Sequence, residues 1–294
     1  MAASITPRQR IAGRLERAAA AGRSARAAYW VSGALAVVSA VAAAGTFFVP
    51  GVLRGTAVMN GSARGTAIVM LAVGLPLLIV SMYVASRGSI RARVVWLGAV
   101  SYFLYNSVMF IVGTPFNQLY LVYEAMLGLS IWSTVFVIRT IDLGSFRQRF
   151  SVSFPARAIA LYMLAIVTLN TLVWLRGAVP GVLSSSPPAI LEGTGLVTVP
   201  TYDQDFAFWL PLAAIAAIWM WRGQVWGHLI TGAMLVYWIV EGVGVAVDQW
   251  MGSAADPTST VASAAISPVF LAIAVIGLVP LFFYMRNLDE RDRQ

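Results

Sequence analysis

Residues 96–130 read WLGAVSYFLYNSVMFIVGTPFNQLYLVYEAMLGLS. Two apolar runs flank Gly113-Thr114-Pro115, and the only charged side chain in the stretch is Glu124. Each run is too long for a strand and extends outward to about the 20 residues that a helix needs to cross a bilayer. Glycine and proline at the junction force a tight turn. The stretch therefore predicts an antiparallel hairpin of membrane-spanning helices, near Val94–Val112 and Phe116–Ile138.

The rest of the chain agrees with that reading. Of 294 residues, 59% are hydrophobic and 11% charged, where a soluble domain carries about 25% charged residues. Such a chain cannot cover itself with polar surface in water, which excludes soluble, disordered and fibrous classes. It has no cysteine and one histidine, so disulfides, thiolate metal sites, a bis-histidine haem and a three-histidine zinc site are excluded. All 20 basic residues are arginine. Without lysine there is no retinal Schiff base and no P-loop. The arginine and alanine richness agrees with a high-GC genome.

Working outward, six more apolar segments lie near Ala27–Phe48, Thr66–Ala85, Ala158–Leu175, Phe206–Trp221, Val225–Val247 and Ile266–Met285. The expected fold is all-α: a polytopic transmembrane bundle of eight spans with both termini inside. With the N-terminus cytoplasmic, every arginine except Arg54, Arg64 and Arg176 falls on the cytoplasmic side, as the positive-inside rule requires. The organisation is a basic N-terminal segment (1–26), an eight-helix domain (27–285) with a long outer loop (176–205), and a tail (286–294). The expected home is a bacterial cytoplasmic (inner) membrane. The net charge of +8 points to anionic lipids at the cytoplasmic face and not to nucleic acid. No cofactor is expected, and protein partners are left open.

The N-terminal segment is too basic for a signal peptide. Thr6-Pro7 is a helix start. Ile11, Leu15 and Ala18 on one face, with Arg10, Arg14 and Arg17 on others, predict either a short helix lying on the inner membrane surface or a frayed tail. The outer loop contains Ser184-Ser185-Ser186-Pro187-Pro188 and the apolar Leu196-Val197-Thr198-Val199, which suits a lid over the bundle. Residues 96–130, with Tyr105-Asn106 before the turn and Phe116-Asn117 after it, resemble a segment of uncharacterised bacterial multi-pass membrane proteins. That resemblance implies a membrane fold and no particular activity.

Ionisable residues inside a bilayer are costly and mark function by default. Two glutamates qualify, Glu124 and Glu241, with Asp248 at the outer end of the seventh segment. Glu124 lies seven residues inward from Asn117, Glu241 seven from Asp248, Asn106 seven from Gly113, and Asn170 six from Arg176. All four then sit roughly 10 Å below the outer interface. Tyr102 and Asn106, Tyr120 and Glu124, and Tyr237 and Glu241 share faces at i,i+4. The expected site is an outward-facing polar pocket in which Glu124 and Glu241 approach, ringed by Asn106, Tyr102, Tyr120 and Tyr237, with Asn117, Asn170 and Asp248 nearby. Two carboxylates at close range cannot both ionise cheaply, so the pair holds a proton or a cation. Tyr-x-x-x-Asn at 102–106 and Tyr-x-x-x-Glu at 237–241 also hint at a parallel four-plus-four duplication.

Other features read structurally. Asp203 or Asp205 caps the sixth helix, since a hard cation would need more oxygen ligands than this pair offers. His228 is a hydrogen-bonded interface residue. The tryptophans, Trp96 and Trp174 among them, form interfacial belts. Pro76, Pro211, Pro268 and Pro280 kink their helices. Three functions follow. The first is binding or transport of a small polar or cationic solute. The second is a non-catalytic subunit or scaffold of a larger complex. The third is an enzyme on a lipid-linked substrate, weakened because no catalytic motif is present.

Overall fold

A computed structural model describes residues 7–184 and 186–290, with side chains from Gly22 onward. Ser185, the proposed Thr6 cap, the side chains of Ile11, Leu15 and Ala18, and Arg291 and Arg293 lie outside the described residues. The described residues form eight helices long and apolar enough to cross a membrane. They are α1 (Pro7–Phe48), α2 (Ala57–Ser86), α3 (Ile90–Gly113), α4 (Tyr120–Ile138), α5 (Ala156–Leu183), α6 (Pro200–Trp221), α7 (Val225–Ala255) and α8 (Ser267–Asn287). There is no strand among the described residues. The basic N-terminal segment is not a separate surface helix: residues 7–48 form one unbroken helix.

Alternate helices run in opposite directions. The α2–α3, α4–α5 and α6–α7 turns and the segment after α8 therefore share one end, which carries Arg87, Arg139, Arg147, Arg149, Arg222 and Arg286. We refer to it as the arginine-rich end. There Gly88 (φ 93°) and Gly223 (φ 71°) take the left-handed conformation that closes α2 and α6. The residues after α8 fold back onto this end. Glu290 accepts from Ser89 Oγ (2.7 Å) and from the Ile90 backbone N–H (2.8 Å), which places a carboxylate at the start of α3.

Burial separates central from peripheral helices. The most apolar windows of α3 and α7 are 67% and 61% buried, against 22% for α5 and 17% for α8. The α8 face carrying Val275, Ile276, Val279 and Phe282 is more than half exposed. That surface would be insoluble in water and suits lipid tails. Small residues set the tightest crossing. Gly61 and Gly65 of α2 lie against α7, and a Cβ on Gly65 would stand 2.7 Å from Asp248 Cα. Such a small-xxx-small stripe lets two backbones approach where lipid gives no hydrophobic drive for association.

The two halves of the chain follow one plan. Both α2 and α6 contain a π-helical turn, Met70–Gly74 and Asp205–Trp209, and each turn is followed by a proline, Pro76 and Pro211. Proline lacks a backbone N–H and crowds the carbonyl four residues earlier, and the wider turn relieves both. Gly88 and Gly223, the starts of α3 and α7, and the ends of α1 and α5 recur at the same separation, that of Asn106 and Glu241, 135 residues. The halves differ in closure. In the first, α1 and α4 are joined by a buried hydrogen bond between Thr46 Oγ1 and Tyr123 Oη (2.7 Å), and a Cβ on Gly45 would meet Leu119. In the second, α5 leans on α6 and barely touches α8.

Candidate functional site

A cavity of about 620 Å³ occupies the open half, bounded by α2, α3, α5, α6, α7 and α8. The connector between α5 and α6 covers one end of it: Ile190, Leu191, Thr194 and Leu196 line it there. That connector spans only residues 184–199, because α5 continues to Leu183 and α6 begins at Pro200. The predicted 176–205 loop is thus shorter at both ends.

The acidic and amide groups of the lining come from four helices, α3, α5, α6 and α7. On α7, Glu241 Oε2 accepts from Asn106 Nδ2 of α3 at 2.8 Å, and the same amide donates to the Tyr102 carbonyl at 3.1 Å. Glu241 Oε1 makes no hydrogen bond among the described residues, so the glutamate is held by one oxygen and free at the other. One turn and more beyond, Asp248 also lines the cavity, and its buried Oδ1 has no partner. On α6, Asp205 sits in the π-helical turn. It accepts from Trp174 Nε1 of α5 at 2.8 Å and lies within polar reach of Asn170 and Tyr105.

Aromatic rings join these carboxylates. Tyr105, Trp209 and Tyr237 contact one another pairwise, with centroids 4.8 to 5.9 Å apart. Ring faces carry partial negative charge and attract cations. Aliphatic side chains, including Ile166, Leu169, Val245 and Ile273, make up much of the remaining wall, with further aromatic and hydroxyl side chains such as Phe270, Trp238 and Ser62 among them. The three lining carboxylates are accompanied by no arginine or histidine. They are dispersed: no group of three or more acidic or histidine side chains among the described residues is placed to hold a metal ion. The site can therefore hold a cation by charge, but lacks the convergent oxygens of a calcium or magnesium site.

The structure divides the predicted site residues. Asn106, Asn170, Tyr237, Glu241 and Asp248 line the cavity. Tyr102 is fully buried beside it, its hydroxyl near Gly244 and without a hydrogen-bond partner. Glu124, Tyr120 and Asn117 do not line it. Glu124 instead pairs with Tyr120 one turn away on its own helix, and Tyr120 contacts Phe116. Asn117 holds the α3–α4 turn, accepting from the Leu119 N–H at 2.8 Å and donating to the Pro115 carbonyl at 3.0 Å. The expected Glu124–Glu241 pocket is thus not formed. The common depth persists, since both carboxylates and both amides lie roughly 20–24 Å from the arginine-rich ends of their helices. What separates Glu124 from the others is its helix: no residue of α4 lines the cavity.

Other expectations change as well. Asp205 is not a cap: α6 begins five residues earlier, and Asp205 lies inside it. Asp203 is in the first turn, accepting from Thr198 Oγ1 at 3.0 Å. Trp96 is no belt residue, being 1% exposed with Nε1 donating to Ser32 Oγ at 3.1 Å. Trp174 belongs to the cavity. His228 is buried, with Nδ1 2.9 Å from the Gln224 carbonyl and its ring against both Phe150 and Phe154. The residues missed in sequence are Tyr105, Trp174, Asp205 and Trp209. Trp174, Asp205 and Trp209 lie where an interfacial belt or helix start was expected, and the longer α5 and α6 bring them inside, whereas Tyr105 sits within α3 and carried no signal of its own. No protein-family model, curated protein or solved structure matches the chain.

Proposed function

We propose that this integral membrane protein binds a small cationic solute in the cavity between its halves and carries it across the membrane. One observation supports the reading: three carboxylates and an aromatic cluster line a partly buried cavity with no basic side chain among them. A buried acid without a counter-charge is costly, and a cationic ligand offsets that cost on binding. A unit cation 4 Å from a carboxylate gains about 4 kcal/mol of gross attraction at an effective dielectric of 20. Glu241 is the primary anchor, since Asn106 orients one oxygen and leaves the other for the ligand. Tyr105, Trp209 and Tyr237 supply ring faces for the same charge. The arginine-rich end is assigned to the cytoplasm of a bacterial inner membrane, where it meets anionic lipid.

Trp174 and Trp209 make the cavity self-reporting. Tetramethylammonium titrated against the protein in lipid nanodiscs should change tryptophan fluorescence saturably. Glu241→Gln should weaken that binding at least tenfold while the helical circular dichroism stays unchanged. Equal binding by the variant would remove the carboxylate, and with it the cation reading.

A further inference from the structure

The wall between α5 and α8 differs from every other wall of the cavity. Gly277 of α8 comes up against Tyr162 of α5, whose hydroxyl is 3.4 Å from where a glycine Cβ would stand. This contact lies in the arginine-rich half of α5 and at the middle of α8. Beyond it the helices part. Leu169 and Val173 on α5 are 56% and 50% exposed, and Ile266, immediately before α8, and Val269 on it are 41% and 52% exposed. All four also line the cavity. A closed helix–helix interface would bury such side chains.

The first half of the chain shows the closed form of the same arrangement. There the corresponding outer helices, α1 and α4, are joined by Thr46 and Tyr123 and by the seating of Leu119 on Gly45. No such hydrogen bond links α5 to α8 among the described residues. The opening is flanked by the most lipid-exposed helices of the bundle, so it faces the side of the protein and not its ends. An aperture at this position meets acyl chains.

We infer that the α5–α8 cleft is a lateral portal, and that the ligand is an amphipathic organic cation drawn from the bilayer, with its hydrocarbon tail between α5 and α8 and its charge at Glu241. The inference rests on the cation reading above for the charge, and on the cleft alone for the tail and the route. The two chemistries of the cavity are arranged accordingly. Aliphatic side chains line the cleft, and carboxylates with aromatic faces lie deeper, on α6 and α7. A purely hydrophilic cation would gain nothing from Leu169, Val173, Ile266 and Val269. Against them an alkyl tail stays out of water along the whole route from the acyl chains to the cavity.

The chain has no cysteine, so introduced thiols are unique. Val173→Cys and Ile266→Cys would be bridged by a bis-methanethiosulfonate with a short alkyl spacer, in nanodiscs, and released by reductant. The probes are decyltrimethylammonium, tetramethylammonium and uncharged decanol, each corrected against empty nanodiscs. Decyltrimethylammonium should bind at least tenfold more tightly than tetramethylammonium. Bridging should slow its association at least tenfold, and reductant should reverse the effect in the same sample. Val173→Trp, which fills the cleft without a crosslink, should slow it likewise. Unchanged association in both bridged and Trp-filled proteins would overturn the portal, as would equal affinity for the tailed and tailless cations. Failure of the cation reading looks different: Glu241→Gln would leave decyltrimethylammonium binding intact, while bridging still slowed decanol.

Discussion

Asn106 and Glu241 touch, 2.8 Å apart, and they hold equivalent positions in the two halves of the chain, 135 residues apart. A residue that contacts its own counterpart lies on the axis relating the halves. The hydrogen bond therefore marks that axis, which runs along the bundle because α3 and α7 point the same way. Membrane proteins built from parallel repeats place their sites at such an interface. The chemistry at this pair differs between the halves: the first has an amide, the second a carboxylate. Two carboxylates here would repel, and two amides would carry no charge for a ligand.

Asn106→Leu should be strongly destabilising. It removes the one donor that the structure gives to Glu241, leaving a partly buried carboxylate without a protein partner. The cost expected for a hydrogen bond to a charged group is about 2–3 kcal/mol. Thermal unfolding in detergent, followed by tryptophan fluorescence, should show a lowered midpoint. Combining it with Glu241→Leu should recover much of the loss, because an apolar pair leaves no orphaned charge. A double variant less stable than Asn106→Leu alone would show that the glutamate is held by other groups.

Much of the bundle was legible because lipid imposes a simple rule. Apolar runs of sufficient length become helices, and arginines sort to one end. The depths of Asn106, Asn170, Glu124 and Glu241 were also readable, since rise per residue is fixed. Which helices surround the cavity was not readable, and α4, which carries Glu124, is not one of them. On α4 the i,i+4 spacing of Tyr120 and Glu124 gave a pair within one helix, whereas on α3 and α7 similar spacing framed a contact between helices. Helix ends were misjudged where polar residues continue a helix: Asp205 and Trp174 entered the cavity because α6 starts at Pro200 and α5 runs to Leu183. The Gly61–Gly65 stripe was present in the sequence, yet its partner on α7 is fixed only by the fold.

Gly65→Ala should separate α2 from α7. Its Cβ would fall 2.7 Å from Asp248 Cα and 2.9 Å from Asp248 N, and backbone cannot step aside as a side chain can. Overpacking of this kind costs about 1–3 kcal/mol, with Leu expected to be worse. Gly33→Ala on α1 is the control, since nothing lies within 4 Å of its Cβ. Helix propensity there should raise stability by up to about 1 kcal/mol. The two midpoints should move in opposite directions; a shift in the same direction would contradict the close α2–α7 crossing.

At Asp205 the conservative and drastic substitutions should diverge. Asp205→Asn keeps an oxygen that can accept from Trp174 Nε1, so stability should change little while cation affinity falls. Asp205→Ala leaves the indole N–H without its acceptor and opens space beside Tyr105, at a cost of about 1–3 kcal/mol. The chain has ten tryptophans, so the readout is the difference in emission between each variant and the same variant carrying Trp174→Phe; that difference should shift in the alanine variant and stay in place in the asparagine variant. Glu124→Gln, on the far side of the cavity wall, should leave cation affinity and the emission spectrum unchanged.

Orientation in the membrane follows from the arginines. Eight spans put the α2–α3, α4–α5 and α6–α7 turns on one face, and that face holds all but Arg54, Arg64 and Arg176 of the described arginines from Gly22 onward. The positive-inside bias is counted over short loops near helix ends, which is where Arg87, Arg139, Arg147, Arg149 and Arg222 lie. Reporter fusions after Arg91 and Arg147 should therefore be active only as cytoplasmic reporters, and fusions after Arg54 and near Ser186 only as external ones. Single cysteines in the same turns give a second readout, because no native thiol competes. A membrane-impermeant maleimide applied to whole cells should label position 186 and spare position 145. External labelling at 145 would invert the bundle, placing the covered end of the cavity in the cytoplasm and reversing the direction from which a water-borne cation reaches Glu241.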